Sequence, residues 1–344
     1  MVSERGLQVL RAIVEDYVST NEPVGSKSIV DRHAFGVSAA TIRNDMAQLE
    51  DEELIAAPHT SSGRVPTDKG YRVFVDHLAR LRPLSTAQRS AITTLLSEPT
   101  DLDDVMARTV RVLTRLTGQV ALAQYPSFSR ASVTHVELVM LAPNRLLIVL
   151  VTDGGGVSQR IVGLPSDIDE LDLSTLRARL SVQLTGRSVR HGLEGIGAFV
   201  DAPEGSAMSG VQGAISRAIA EELEEFRQDK LVMAGAATLA RREQDFRGSI
   251  HPLLEAIEEQ VTLLRLMTQM QADAQGLATS IGAENEPFGL TEASIVASDY
   301  VASGGTARLG VMGPTRMDYP SNLAAARAVA RYLSQLLDDD ESAR

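Results

Sequence analysis

V-S-A-A-T-I-R-N-D-M-A-Q-L-E-D-E-E-L-I-A-A-P-H-T-S-S-G-R-V-P-T, from Val37 to Thr67, is the stretch whose reading decides the fold. Its first half spells a helix with a defined start. Ser38 suits the N-cap, because its hydroxyl accepts from a free amide of the first turn. Ala39, Ile42, Met46 and Leu49 recur at helical spacing, which puts them on one buried face. Ala40, Thr41, Asn44 and Gln48 take the opposite face, with Arg43 at its edge. That face is small, polar and almost free of acid through the first two turns. Glu50, Asp51, Glu52 and Glu53 crowd the far end, where they repel phosphate and oppose the helix dipole. A helix built this way enters a DNA major groove by its N-terminal end. Leu54 to Ala57 and Pro58 to Pro66 then predict a strand and a wing, with Arg64 at the tip.

The residues upstream agree. Leu7, Leu10, Val14 and Tyr17 repeat at helical spacing behind a Ser3 cap, and Thr20 to Pro23 break that helix. Ser26 is expected to cap a short helix through Ile29, Val30 and Ala34, with Gly36 in the turn before Ser38. Helix, helix, glycine turn, helix and hairpin make the order of a winged helix-turn-helix module. An ordinary small helical domain that never meets DNA fits the same spacing. The DNA reading is the favoured one of the two.

G-S-K-S-I-V (Gly25 to Val30), S-A-A-T-I-R-N-D-M-A-Q-L-E (Ser38 to Glu50), P-H-T-S-S-G-R-V-P-T-D-K-G-Y-R (Pro58 to Arg72) and G-P-T-R-M-D-Y-P (Gly313 to Pro320) carry a wider likeness. With V-A-L-A-Q-Y-P (Val120 to Pro126) and I-G-A-E-N (Ile281 to Asn285), the chain resembles the HrcA family of bacterial heat-inducible transcription repressors from Leu7 to about Leu337. Two positions depart from the family pattern. Glu53 stands where a glycine is usual, which removes the expected left-handed C-cap residue and predicts a less sharply defined helix end. Ser62 stands where alanine is usual.

The resemblance implies a multidomain α+β protein. Residues 1–82 would be a winged-helix DNA-binding domain, and 83–163 with 241–344 a GAF-like α+β domain. Residues 164–240 would be an inserted dimerisation domain. It also implies a homodimer on an inverted-repeat operator (the CIRCE element) of chaperone operons, and a chaperonin of the GroEL type that keeps the repressor folded. The expected DNA contacts are Lys27, Ser38, Thr41, Arg43 and Asn44 from the helices, and His59, Thr60, Ser61 and Arg64 from the wing.

Composition sets the outer bounds. The 344 residues are 44% hydrophobic, enough for two or three domains with proper cores. The absence of cysteine excludes disulfides and thiolate metal sites. No basic-plus-apolar leader opens the chain, and the most apolar stretch, Val133 to Val151, is broken by Pro143-Asn144-Arg145, so a soluble cytoplasmic protein is expected. The net charge of −12 opposes nucleic acid if taken globally. Residues 1–82 hold ten Lys and Arg against twelve Asp and Glu, a net of −2, so the rest carries −10. DNA binding therefore requires Lys27, Arg43, Arg64, Lys69 and Arg72 to gather on one side. Few phosphate contacts imply dependence on a dimer.

Beyond the wing, Thr67 is expected to cap a helix with Tyr71, Phe74, Val75 and Leu78 on one face, followed by a linker at Arg82 to Ser85. Helices are predicted over 87–97, 102–117, 174–184, 211–226, 253–270 and 321–337. Strands are predicted over 120–125, 133–141, 146–152, 157–162, 293–300 and 307–312. Strands parted by a long helical stretch suggest an α+β domain with an insertion. The acids Glu221, Glu222, Glu224 and Glu225 read as a solvated face.

Catalytic patterns are missing. His33, His59, His77, His135, His191 and His251 show no ligand-like pairing, and only His59 is placed where a phosphate is met. Asp153 to Gly156, Gly192 to Gly197 and Ser303 to Gly305 lack a phosphate-loop or dinucleotide pattern and read as turns. Neither cofactor nor metal is expected, and enzyme activity is not. In Gly313 to Pro320, Asp318 or Ser321 can cap the last helix, and Arg316 can pair locally with Asp318. That segment is either a tight strand-to-helix connection or a small-ligand site at a helix N-terminus. Two functions stay open: a heat-shock repressor, and a metabolite-sensing regulator whose effector binds the α+β domain.

Overall fold

The computed structural model describes residues 2–59, 62–78, 83–96, 101–126, 132–153, 156–201, 203, 206–227, 230–241, 243–246, 248, 250–302 and 305–342. α1 (Glu4–Thr20) starts at Ser3, whose hydroxyl accepts from the Gly6 amide at 3.0 Å, and stops at Asn21 in the left-handed region. α2 (Ser26–Arg32) begins where expected, but Ser26 is its first helical residue and not its cap. Gly25 holds that position without a side-chain bond. α3 (Ala39–Asp51) follows the Gly36 turn. β1 (Ile55–Ala56) and β2 (Val65–Pro66) pair antiparallel, and a bridge from Arg64 to Val24 ties the ribbon to the segment before α2. Gly63 has no Cβ to meet the Pro23–Val24 backbone, which allows that close approach. Thr67 caps α4 (Asp68–Val73), which runs on into a π-helical turn, Phe74–Leu78.

α5 (Thr86–Leu96) and α6 (Leu102–Thr117) match their periodicity, with Asp101 capping α6 and Gly118 ending it at φ 64°. Then come β3 (Val120–Gln124), β4 (Val133–Ala142), β5 (Arg145–Thr152) and β6 (Val157–Gly163). α7 (Glu170–Leu184), α8 (Val189–Gly195) and α9 (Ala207–Arg227) follow. β7 (Leu231–Ala234) and α10 (Ala236–Arg241) lead to α11 (His251–Glu259) and α12 (Val261–Gln269). The helix expected over 253–270 is thus broken, because Gln260 takes a left-handed φ of 53°. The chain closes with β8 (Leu277–Ile281), β9 (Ala293–Ala302), β10 (Gly305–Pro314) and α13 (Tyr319–Ser342).

Two larger sheets result. The main one is antiparallel in the order β7-β3-β10-β9-β8, and the other is β4-β5-β6. Alternation along each main strand feeds a core on either side of the sheet. Ala121 and Ala123 of β3 join α5, α6, α13 and the N-terminal helices, whereas Val120 and Leu122 join α11 and α12. A third core runs from Val133 to Leu223 and unites β4 and β5 with α7, α8 and α9. The cores therefore divide near Val133 and not at Leu164 as expected. Strands 133–163 bury their apolar side against the following helices instead of the main sheet. Glu222 of α9 is also not on a solvated face. It is buried at 6% side-chain exposure, and receives Arg160 and Ser158 of β6.

One core cluster continues from the N-terminal helices into the body, so the two are packed together. Tyr71 and Tyr319 meet with ring centroids 5.6 Å apart, and burial pushes the Tyr319 hydroxyl above its ordinary pKa range, with Ser294 opposing. Asp68 accepts from the Ala283 amide at 2.9 Å. Arg316 does not pair with Asp318. It reaches the Val18 carbonyl at 2.9 Å and Asp245 at 2.5 Å, while Asp318 caps α13 by accepting from the Ser321 amide at 3.1 Å. No described helix is long and apolar enough to cross a membrane.

Candidate nucleic-acid interface

α3 is fixed at both ends. At its start, Ser38 accepts from the Thr41 amide at 3.2 Å and its hydroxyl meets that of Thr41 at 3.0 Å. At its end, the Leu54 amide donates to the Leu49 carbonyl at 2.8 Å and the Glu53 amide to that of Glu50 at 2.9 Å. These bonds form a Schellman motif with Glu53 at C′, in the left-handed region at φ 59°. The helix end is therefore sharply defined despite the missing glycine, and Glu53 carries the strain instead.

Ile42, Asp45, Met46 and Leu49 are buried, whereas Ala39 is only half-buried. Asp45, at 2% exposure, is a site residue that the apolar periodicity does not reveal. Arg5 of α1 grips it with two bonds, Nε to Oδ2 at 2.8 Å and Nη2 to Oδ1 at 3.0 Å. The bonds and charge of Asp45 raise the Arg5 guanidinium above its ordinary range. An acid at a core-facing helix position is itself a signal, because a buried carboxylate requires a cation or donors. Ala40, Arg43, Asn44, Ala47 and Gln48 are exposed on the other side, Ser38 is exposed and Thr41 is half-buried. Lys27 is exposed near the start of α2. Among the described residues, neither Lys27 nor Arg43 has an ion pair.

The wing departs from expectation. Thr60 and Ser61 lie outside the described residues. His59 is exposed, and Ser62 closes the turn around it: its Oγ accepts from the His59 amide at 3.0 Å and donates to the His59 carbonyl at 2.7 Å. Arg64 is not at the tip. It sits where the ribbon meets Val24, and its guanidinium turns back to Glu50 at 2.8–2.9 Å. It thereby neutralises one of the four acids at the end of α3. Lys69 donates to the Glu52 carbonyl at 2.8 Å. Arg72 leaves the cluster altogether for Glu284 and, at 2.8 Å, the Thr279 carbonyl. Burial lowers its pKa, but bonds to Glu284 and Asp76 outweigh that and hold it above its usual range. Of the five cations required on one side, only Lys27 and Arg43 remain exposed and uncommitted.

No group of three or more metal-ligating residues occurs among the described residues. His33 bonds Asp16 at 3.1 Å and His191 bonds Ser188 at 2.7 Å. Gly192 to Gly197 is not a turn but the end of α8 and a 3-10 helix, Ile196–Phe199. Gly154, Gly155, Ser303 and Gly304 lie outside the described residues. The arrangement presents an exposed polar helix face with one free arginine, a nearby lysine and an adjoining ribbon, and it is suited to contacting a groove edge.

A family profile described as the HrcA protein C-terminal domain matches residues 103–322. The chain is 59% identical to the heat-inducible transcription repressor HrcA of Clavibacter michiganensis subsp. michiganensis, across 98% of this chain and 100% of that one. It is 58% identical to that of Leifsonia xyli subsp. xyli over the same shares. Among solved structures, a crystal structure of a protein described only as hypothetical is 24% identical with a TM-score of 0.66, covering 98% of this chain and 99% of that one. That likeness concerns the fold.

Proposed function

The chain belongs to the HrcA family of heat-inducible transcription repressors, and from that membership we propose that it represses chaperone operons by binding an inverted-repeat operator of the CIRCE type as a homodimer. The observation that carries the reading is the exposed N-terminal face of α3, held from behind by Arg5 on Asp45. α1 to α4 with the ribbon act as the winged helix-turn-helix, and α3 is its recognition helix. Ser38, Thr41, Arg43 and Asn44 approach the groove, Lys27 approaches a phosphate, and His59, Thr60 and Ser61 lie along the wing. Arg64 acts one step back, by removing the repulsion of Glu50.

The domain division follows the cores. The reading head ends near residue 82, the GAF-like body comprises roughly 83–126 and 231–344, and the inserted unit roughly 132–227. Two copies join through the inserted unit. The outer side of its sheet carries Val139, Leu141, Val157 and Ile161, of which the last two are 57% and 55% exposed. An apolar patch on an inserted unit is where a second copy fits best. Heat inactivates the repressor by lowering its folded population, and a chaperonin of the GroEL type restores it.

The test is a gel shift with inverted-repeat and scrambled DNA at stated salt. Equal affinity for the two would end the repressor reading. The second reading, an effector-binding sensor, has one place to start: a cavity of about 360 Å3 lined by Gln124, Thr268, Asp299, Thr306 and Arg308. Its arginine is already engaged by Asp299 and the Met267 and Met270 carbonyls, which leaves no free charge for an effector. A metabolite that raises the thermal midpoint with concentration would favour that reading.

A further inference from the structure

Few cations of the reading head are uncommitted among the described residues. Arg5, Arg11, Arg32, Arg64, Lys69 and Arg72 all have carboxylate partners, which leaves Lys27 and Arg43 among the described residues of the head, Arg80 and Arg82 lying outside them. Two heads would supply four such cations from the described residues, fewer than the roughly 6–10 phosphate contacts that make a protein's DNA affinity steeply salt-dependent. A cationic surface elsewhere would add to them in a chain whose net charge is −12.

The body holds a candidate. Arg108, Arg111 and Arg115 follow one another along α6 at intervals of three and four, and line a groove of about 300 Å3 against α5. Its apolar lining is Leu95 and Val112, and Thr94 stands at its rim. Asp104 pairs with Arg108 at 2.6 Å. Arg111 and Arg115 are exposed, and among the described residues they have neither ion pair nor side-chain hydrogen bond. Like charges four residues apart destabilise a helix by about 0.2–0.5 kcal/mol. The helix dipole favours Arg115 in the last turn but not Arg111 in the middle. Guanidinium forks beside an open groove are suited to phosphate oxygens, which they bond in bidentate fashion.

The helix that carries the arginines is tied to the N-terminal helices at its far end. The C-terminal end of α6 abuts the strand-to-helix connection that holds α1: Gln119 packs on Gly313, and Arg316 reaches Val18. From Arg108 to Arg115 the row spans about 10 Å at 1.5 Å per residue, longer than a single phosphate. We propose that Arg111 and Arg115, with Arg108, bind the DNA backbone flanking the operator, so that the body as well as the winged helix contacts DNA. The inference rests on the repressor reading above. It assigns these arginines to affinity and not to sequence discrimination, because phosphate contacts carry no base information.

The experiment measures affinity of the full-length protein over a salt series on two duplexes, the inverted repeat alone and the same repeat extended by about one helical turn at each end. Wild type should bind the longer duplex with the steeper dependence of log K on log salt. Arg111→Ala/Arg115→Ala should remove that increment, about 0.9 in slope for each phosphate no longer neutralised. It should also weaken low-salt binding to the longer duplex roughly tenfold or more while leaving the operator-to-scrambled ratio unchanged. Arg111→Lys/Arg115→Lys, which keeps the charge, should retain most of the slope. Circular dichroism and sedimentation of each variant check that fold and assembly are intact. Equal slopes for wild type and the alanine variant on the longer duplex overturn the proposal, as does an equal loss in the lysine variant. A pyrophosphate-induced thermal shift that disappears in the alanine variant, with DNA binding untouched, would assign the groove to a small phosphorylated ligand instead. Failure of the wild type to bind any DNA overturns the repressor reading and this inference with it, which keeps the two failures distinct.

Discussion

Arg5, 45% exposed, grips Asp45, 2% exposed, through two parallel bonds, and so connects the first turn of α1 to the hidden side of α3. A planar guanidinium against a carboxylate fixes orientation as well as distance. The face opposite Asp45 is thereby presented at a set angle. The relationship is asymmetric, because one partner can return to water and the other cannot.

That asymmetry predicts an order of effects. Arg5→Ala strands a buried carboxylate and should lower the thermal midpoint more than Asp45→Asn, whose amide can still accept from Arg5. Paired melts followed by circular dichroism measure both. The reverse order would mean that the pair does not hold α3.

Arg43 is exposed and without an ion pair among the described residues, so its removal should spare the fold. Arg43→Ala should change stability by less than about 0.5 kcal/mol. Operator binding should weaken by about 1–3 kcal/mol, the range for a base-edge arginine. Titration against inverted-repeat DNA at physiological salt checks this, and undiminished binding would refute the docking of α3.

Glu53 occupies a left-handed position without the freedom of glycine. Glu53→Gly should stabilise the protein by about 0.5–1 kcal/mol, relief of left-handed strain exceeding the added entropy of the unfolded chain. The ion pair it gives up, Lys69 to Glu53 at 3.6 Å, is exposed and contributes little. Chemical denaturation compares the midpoints; a lower one for the glycine variant contradicts the assignment.

Dimerisation should survive removal of residues 1–82 and should fail when the outer side of the three-stranded sheet is charged. Ile161→Asp is the test, since that side chain is 55% exposed and its replacement leaves no buried hole. Sedimentation of both proteins decides, and a dimeric Ile161→Asp would move the seam elsewhere.

Heating should abolish operator binding over several degrees, because a cooperative domain of modest stability loses its folded population steeply. Chaperonin with ATP should restore it. Binding after graded heating, with and without chaperonin, measures both effects. Full activity well above the heat-shock range with no chaperonin effect would favour an effector-controlled regulator.

Much of the fold is legible in the chain itself. Ser3, Ser38, Thr67 and Gly118 mark helix ends, and α6 runs over the very residues its periodicity predicts. β7 and β8, the two edges of the main sheet, leave no such signal. β7 is only four residues long, and β8, L-A-T-S-I, sets two small polar residues side by side, so alternation does not declare itself in either. The break at Gln260 is hidden for a related reason: the apolar spacing continues across it, and the backbone alone turns.

The sequence by itself determined the starts of α1, α3 and α4, both ends of α6, most of the apolar residues that face a core, and which family the chain resembles, because capping and periodicity act within about one turn of chain. Only the tertiary structure decided where the charges go. Arg64 takes Glu50 fourteen residues away, Arg316 takes Asp245 across 71, and Arg72 takes Glu284 across 212. An arginine presents several donors on a long flexible stem, so nothing in its neighbours specifies its partner. The folding of distant segments against one another makes that choice, and it left Arg43 and Lys27 on the reading head and Arg111 and Arg115 on the body with no carboxylate among the described residues.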